Sequence, residues 1–68
     1  MGKTTIFDNI NGELRRRHYT QQDLAEAVSI DRRTWTKWQE KNDMPASVLL
    51  RISSWLNVTL DYLVRDVI

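Results

Sequence analysis

The sequence predicts an all-α fold, a compact domain of five short helices. Apolar residues recur at helical spacing, and no segment alternates between apolar and polar residues as a half-buried strand does. Residues that start and stop helices interrupt these apolar segments at short intervals. A chain of 68 residues forms one domain, and a domain of that size buries only about 60% of its unfolded surface. We therefore expect residues 1–68 to share a single small core.

Capping residues predict where each helix begins. In chain order they are Thr4 or Thr5, Thr20, Asp31, Pro45 and Thr59. Thr20 has Asp23 three residues later, as in a capping box. The third helix is expected over about 32–40, followed by a turn. The first helix should end near Arg17, where basic residues suit the negative pole, and the fourth at Asn57, which tolerates a left-handed backbone.

Apolar residues at helical spacing predict which faces are buried. On the first four helices they are Ile6, Phe7, Ile10, Leu14, Leu24, Ala25, Val28, Val48, Leu49, Ile52, Trp55 and Leu56. Trp35 and Trp38 share one face of the third helix. The fifth helix is expected to carry Leu60, Leu63, Val64 and, at its end, Val67.

Charge is unevenly placed along the chain although the formal net charge is only +1. Residues 15–41 carry seven basic against four acidic residues, whereas 1–14 and 42–68 each have a net charge of −1. Such a local excess attracts phosphate to one face of a nearly neutral protein. Arg15, Arg16 and Arg17 form either a solvated helix end or a phosphate contact.

The composition disfavours several classes of protein. Because cysteine is absent, disulfides and cysteine-ligated zinc are excluded, and a reducing cytoplasm is expected. His18 is the only histidine, so we expect it at the surface and no metal site. There is no apolar run long enough to span a membrane and no apolar signal segment at the N-terminus. No nucleophilic triad or glycine-rich phosphate loop is recognisable, so we expect no enzyme, no cofactor and no small-molecule ligand.

The stretch Gln21–Glu40, QQDLAEAVSIDRRTWTKWQE, carries the functional prediction. It reads as two short helices joined by a tight turn, with the small Ala25 where they would approach most closely. Such packing leaves the outer face of the second helix free to enter a DNA major groove, which is about 12 Å wide. The cations on that face are Arg32, Arg33 and Lys37, which suit guanine edges or phosphates.

The run YTQQDLAEAVSIDRRTWTKWQ and the later LLRISSWLNVTLDYL resemble the lambda-repressor-like proteins, the Cro/CI-type or XRE family of helix-turn-helix regulators. The resemblance covers about residues 6–64 and implies a small phage or prophage regulator that binds operator DNA in a bacterial cell, at the nucleoid. It also implies a homodimer on DNA. The residues that it places against base edges are Asp31, Arg32, Arg33 and Lys37. Those that it places against phosphates are Gln21, Gln22, Lys41 and Asn42.

Several residues depart from the pattern of that family. Ser29 stands where glycine is usual in the turn, and His18 and Tyr19 replace a common Gly-Leu pair. The resemblance assigns Trp38 to the core as the main contact of the third helix. Trp35 replaces a β-branched core residue, and its ring is either buried or partly exposed for contact.

Two functions are therefore open at the level of sequence. The first is a Cro-like repressor that reads DNA directly. The alternative is an antirepressor or repressor modulator, which binds a partner repressor protein in a lysis–lysogeny switch. In that case the contacting residues would be Asp31, Arg32, Trp35 and Thr36.

Overall fold

The computed structural model describes residues 4–67 and confirms the all-α prediction. Five helices follow one another: α1 (Ile6–Arg16), α2 (Gln21–Ala27), α3 (Arg32–Lys41), α4 (Ala46–Leu56) and α5 (Leu60–Leu63). Within this part of the chain there is no strand, and a single isolated bridge joins Thr4 to Val67. The fifth helix is shorter than predicted, because it ends at Leu63 and leaves Val67 in that bridge. No helix here has the length and apolarity needed to cross a membrane.

Side-chain caps hold the starts of α1, α2, α3 and α5 where the sequence predicted them, whereas Pro45 before α4 makes no side-chain cap hydrogen bond. Thr5 and Asp8 form a complete capping box, in which the Thr5 hydroxyl accepts from the Asp8 amide at 3.1 Å and the Asp8 carboxylate accepts from the Thr5 amide at 2.9 Å. Thr20 and Asp23 repeat it at 3.0 and 2.8 Å. Asp31 accepts from the Arg33 amide at 2.7 Å. Each such cap is worth about 1 kcal/mol.

The helix ends share a different device, the Schellman motif closed by a left-handed residue. After α1, for example, the Tyr19 amide donates to the Leu14 carbonyl at 2.9 Å. The residues with positive φ that close the first four helices are His18, Ser29, Asn42 and Asn57, at 62°, 61°, 54° and 57°. None of them is glycine. His18 and Ser29 are the positions where the family resemblance expects glycine, and both have the left-handed backbone that favours glycine.

The core is built around Trp35. Its ring is 0% exposed and meets Phe7 of α1 edge to face, with ring centroids 5.1 Å apart and an interplanar angle of 61°. Ile10, Leu24 and Ile52 are buried as completely. The prediction that Trp38 is the main core contact of α3 is wrong: Trp38 is only partly buried at the edge of the core. The physical reason is that Trp35 lies at the centre of the inner face of α3, whereas Trp38 lies to one side.

We expect Trp35→Ala to lower the free energy of unfolding by about 3–5 kcal/mol, because it empties the centre of the core. Trp38→Ala, at the core edge, should cost less. Trp35→Phe should also cost less than the alanine change, because it keeps a ring against Phe7 and removes the Trp35 Nε1–H, which has no hydrogen-bond partner among residues 4–67. Urea unfolding followed by circular dichroism ranks the three variants. A larger loss for Trp38→Ala than for Trp35→Ala would contradict this packing.

We expect Ser29→Gly to raise the free energy of unfolding by roughly 0.5–1 kcal/mol, because a left-handed backbone costs a serine more than a glycine. Asn57→Gly is the matched control at the same position of another Schellman motif. It should gain less, because asparagine tolerates this conformation. Thermal unfolding of both variants provides the measurement, and equal gains at the two positions would show that backbone strain at Ser29 is not the cause.

Candidate nucleic-acid interface

Helices α2 and α3 form a helix-turn-helix whose inner faces are fully packed. Leu24 and Ala25 of α2 are 0% exposed, as is Trp35 of α3. The chain turns between the two helices over residues 28–31, and the Ile30 amide bonds the Ala25 carbonyl at 2.9 Å. The small side chain at Ala25 stands in the interface, as the sequence indicated. The position of α3 is thus set by burial, and its other face is left in solvent.

The outer face of α3 carries cations that the rest of the protein does not neutralise. Arg33, Thr36 and Lys37 are exposed, and Glu40 lies on the same side one turn later. Among residues 4–67 the only ion pairs join Glu13 to Arg16 and to Arg17. Arg33 and Lys37 therefore have no carboxylate partner within the described chain. An exposed basic side chain without such a partner attracts phosphate or the acceptor atoms of guanine.

A network of polar side chains joins α1, α2 and α3. The Gln21 amide nitrogen donates to Asn11 at 3.0 Å and to Gln39 at 3.3 Å, and Asn11 donates to Gln39 at 2.9 Å. Arg32 completes the network by donating to the Gln21 amide oxygen at 3.0 Å. The network holds Arg32 beside α2, so the first turn of α3 is oriented by polar contacts as well as by its buried face.

Comparison with protein families identifies this arrangement. A model of the Cro/C1-type HTH DNA-binding domain matches residues 9–67, which is most of the chain. The chain belongs to this family. A search of curated proteins and a search of solved structures each found no match. Membership of this family indicates a DNA-binding regulator.

The structure of this Cro/C1-type domain leaves most of the predicted contact residues exposed. Asp31, Arg32, Arg33, Gln22, Lys37, Lys41 and Asn42 are all exposed. Lys41 is the last residue of α3, and Asn42 is its left-handed cap. Gln22 donates to Glu26 on its own helix at 3.1 Å. Gln21 differs, because it is half-buried and its amide bonds inside the protein. Their roles toward DNA remain predictions.

Trp35 requires a correction. It was a candidate for contact with a protein partner, but none of its surface is exposed. The ring instead lies in the core, at the position where the family resemblance expects a β-branched residue. Asn11 and Gln39 were not predicted at all. Both are polar residues that line the inner edge of a helix, and that pattern is the only sequence signal that could have indicated them.

Two of the three consecutive arginines at the end of α1 have structural partners. The buried Glu13 carboxylate accepts from Arg16 at 2.6 Å, from Arg17 at 3.0 Å and from the Tyr62 hydroxyl at 2.7 Å. Arg17 also donates to the Leu56 carbonyl, so this cluster ties α1 to the ends of α4 and α5. Burial of the carboxylate raises its pKa, but the hydrogen bonds from Arg16, Tyr62 and Arg17 outweigh burial and lower the pKa of Glu13 from 4.5 to about 2.

This lowered pKa predicts acid sensitivity. The Glu13 contribution to stability is fully present above about pH 4.5 and is lost as the pH falls toward 2, with a magnitude on the order of 3 kcal/mol. Urea unfolding between about pH 6 and about pH 2 measures it, because this interval covers the fall from the unfolded to the folded pKa of Glu13. Glu13→Gln should be less stable at neutral pH and lose less over this interval, whereas Glu26→Gln, on the exposed face of α2, should follow the parent. Parallel curves for Glu13→Gln and the parent would contradict the assignment.

Proposed function

We propose that the protein is a sequence-specific transcriptional repressor of the Cro kind that reads the DNA major groove with the outer face of α3. The observation that carries this proposal is that Arg33 and Lys37 are exposed and have no carboxylate partner within residues 4–67. They lie on a helix whose opposite face is fixed by the buried Trp35. A rigid helix with free cations on one face matches a groove about 12 Å wide. Membership of the Cro/C1-type family supports the same conclusion.

The proposed contacts divide into base readout and backbone positioning. Arg33 is one turn before Lys37 on the exposed face, and both would reach guanine O6 and N7. Arg32 and Asp31 stand at the start of the helix, where Asp31 would accept from a cytosine amino group while it caps the helix. Positioning on phosphates is assigned to Gln21, Gln22, Lys41 and Asn42.

We propose that the repressor binds its operator as a homodimer. A single module of this size buries about 600–1,000 Å² on DNA, which is too little for strong discrimination. An apolar stripe on the C-terminal segment would meet a second copy: Leu60, Val64 and Val67 are 37%, 37% and 36% exposed. The two copies would then read half-sites about one helical turn apart. Such a regulator would act at the nucleoid, in the cytoplasm of a bacterium that carries a phage or prophage.

The antirepressor alternative has one observation in its favour. The carboxylates of Asp31 and Glu40 are exposed on the same surface as the cations, and carboxylates repel phosphate but suit the basic surface of a partner repressor. Its predicted contacts are now reduced to Asp31, Arg32 and Thr36, because Trp35 is buried. We therefore place DNA readout first.

The test is selection of binding sites from random duplexes, followed by titration of Arg33→Ala on the selected site. The variant should lose about 1–3 kcal/mol of binding free energy and relax discrimination at one base pair. Arg51→Ala is the matched control, because Arg51 is an exposed arginine on α4 whose one hydrogen bond within residues 4–67 is a long one to the Val28 carbonyl, at 3.4 Å.

Three outcomes are informative. A loss confined to Arg33→Ala supports base readout. Equal affinity and equal base preference for Arg33→Ala and the parent would refute base readout by this residue. A chain that selects no duplex but forms a salt-sensitive complex with a repressor protein would support the alternative function.

A further inference from the structure

We infer that Arg15 and Tyr19 form a second phosphate-binding site, which contacts the DNA backbone on the α1 side of the helix-turn-helix. This inference rests on the proposed DNA-binding function and extends its footprint. The site is a shallow hollow of about 170 Å³ lined by Asn11, Leu14, Arg15, Tyr19 and Gln21. No carboxylate lines it, so its one charged group is a guanidinium.

Arg15 differs from the two arginines that follow it, because its guanidinium does not bind the Glu13 carboxylate and could bind a phosphate. Arg16 and Arg17 both bind the buried Glu13 carboxylate. Arg15 is exposed, and among residues 4–67 its side chain forms neither an ion pair nor a hydrogen bond. One turn of α1 separates Arg15 from Asn11, which places the guanidinium beside the amide network rather than beside Glu13.

Tyr19 adds a neutral donor in a fixed position. Its ring lies against Trp55 of α4, with centroids 4.8 Å apart and an interplanar angle of 32°. The residue is nevertheless 42% exposed, and its hydroxyl has no hydrogen-bond partner within the described chain. The oxygens of a phosphodiester can accept hydrogen bonds from one charged and one neutral donor. Arginine, lysine and hydroxyl-bearing side chains are common donors to the DNA backbone.

The hollow is continuous with the recognition surface. Gln21 forms part of its wall, and the same Gln21 side chain accepts from Arg32 at the start of α3. Lys41 and Asn42 lie at the opposite end of α3. Asn11 and Gln21 in the wall of the hollow also bond Gln39 near the C-terminal end of α3, so the hollow lies alongside the helix. A phosphate held there would add a contact beside α3 to those at Lys41 and Asn42 and would help to set the angle of the helix in the groove.

The experiment measures binding to a mixed-sequence duplex of about 30 base pairs by fluorescence anisotropy at several salt concentrations, because phosphate contacts act without regard to sequence. Arg15→Gln should weaken binding about eightfold near 0.1 M salt and reduce the slope of log K against log salt by about 0.9, the value for one phosphate contact. Tyr19→Phe keeps the ring on Trp55 and loses only the hydroxyl. It should weaken binding severalfold without changing the slope. Arg51→Gln is the control, since Arg51 lies beside Val28, at the opposite end of α2 from Gln21.

Each result decides the matter. A reduced slope for Arg15→Gln, with an unchanged slope for Arg51→Gln and unchanged thermal unfolding of both, supports the site. Identical binding by Arg15→Gln and Arg51→Gln, while the parent still binds DNA, overturns this inference and leaves the proposed function standing. A parent protein that binds no duplex at low salt overturns both.

Discussion

The burial of Trp35 against Phe7 is the contact on which the rest of the structure depends. It joins the recognition helix to α1 through the largest side chain in the core, and it fixes which face of α3 is exposed. The indole Nε1–H has no partner among residues 4–67, a cost of about 1–3 kcal/mol. Packing of the ring, worth about 3–5 kcal/mol by comparison with alanine, outweighs that cost. Burial of Trp35 therefore fixes the position of α3 in this small domain, and it leaves one buried polar group, the indole N–H, without a hydrogen bond within the described residues.

The basic side chains fall into two groups: some bind the buried Glu13 carboxylate, and others are exposed without an ion pair within the described residues. Arg16 and Arg17 are held at Glu13, where their charges stabilise the junction of α1 with α4 and α5. Arg33 and Lys37 have no ion pair within the described residues and lie on one exposed face. The net charge of +1 does not distinguish the paired from the unpaired basic residues. The local field that a phosphate meets is set by the charges without an ion pair, because Arg16 and Arg17 are largely neutralised by the buried carboxylate. Arg33 and Lys37 attract the phosphate, and the exposed carboxylates of Asp31 and Glu40 oppose that attraction.

Local signals in the sequence were sufficient for the helix starts and for the helix-turn-helix, because caps and apolar spacing act over a few residues. The same signals could not choose between Trp35 and Trp38. Three residues along a helix differ by only about 60° in direction, so both lie near the inner face, and the neighbouring helices decide which is central. The amide network could not be predicted from the sequence for a similar reason. Gln21, Asn11 and Gln39 are separated by 10 to 28 residues, and only the packed fold brings them together.

The size of the domain limits how a dimer can form on DNA. Its Cα envelope measures 31 × 24 × 22 Å, whereas half-sites one turn apart are separated by about 34 Å. Two copies centred on them leave a gap of about 3–12 Å between their envelopes, depending on which axis follows the DNA. Side chains such as Leu60 and Val64 can span that gap, but three partly exposed residues fall far short of the roughly 800 Å² per partner that a stable interface buries. For the homodimer proposed above, the DNA must therefore supply most of the free energy of assembly, and we expect that dimer to form on DNA rather than in free solution.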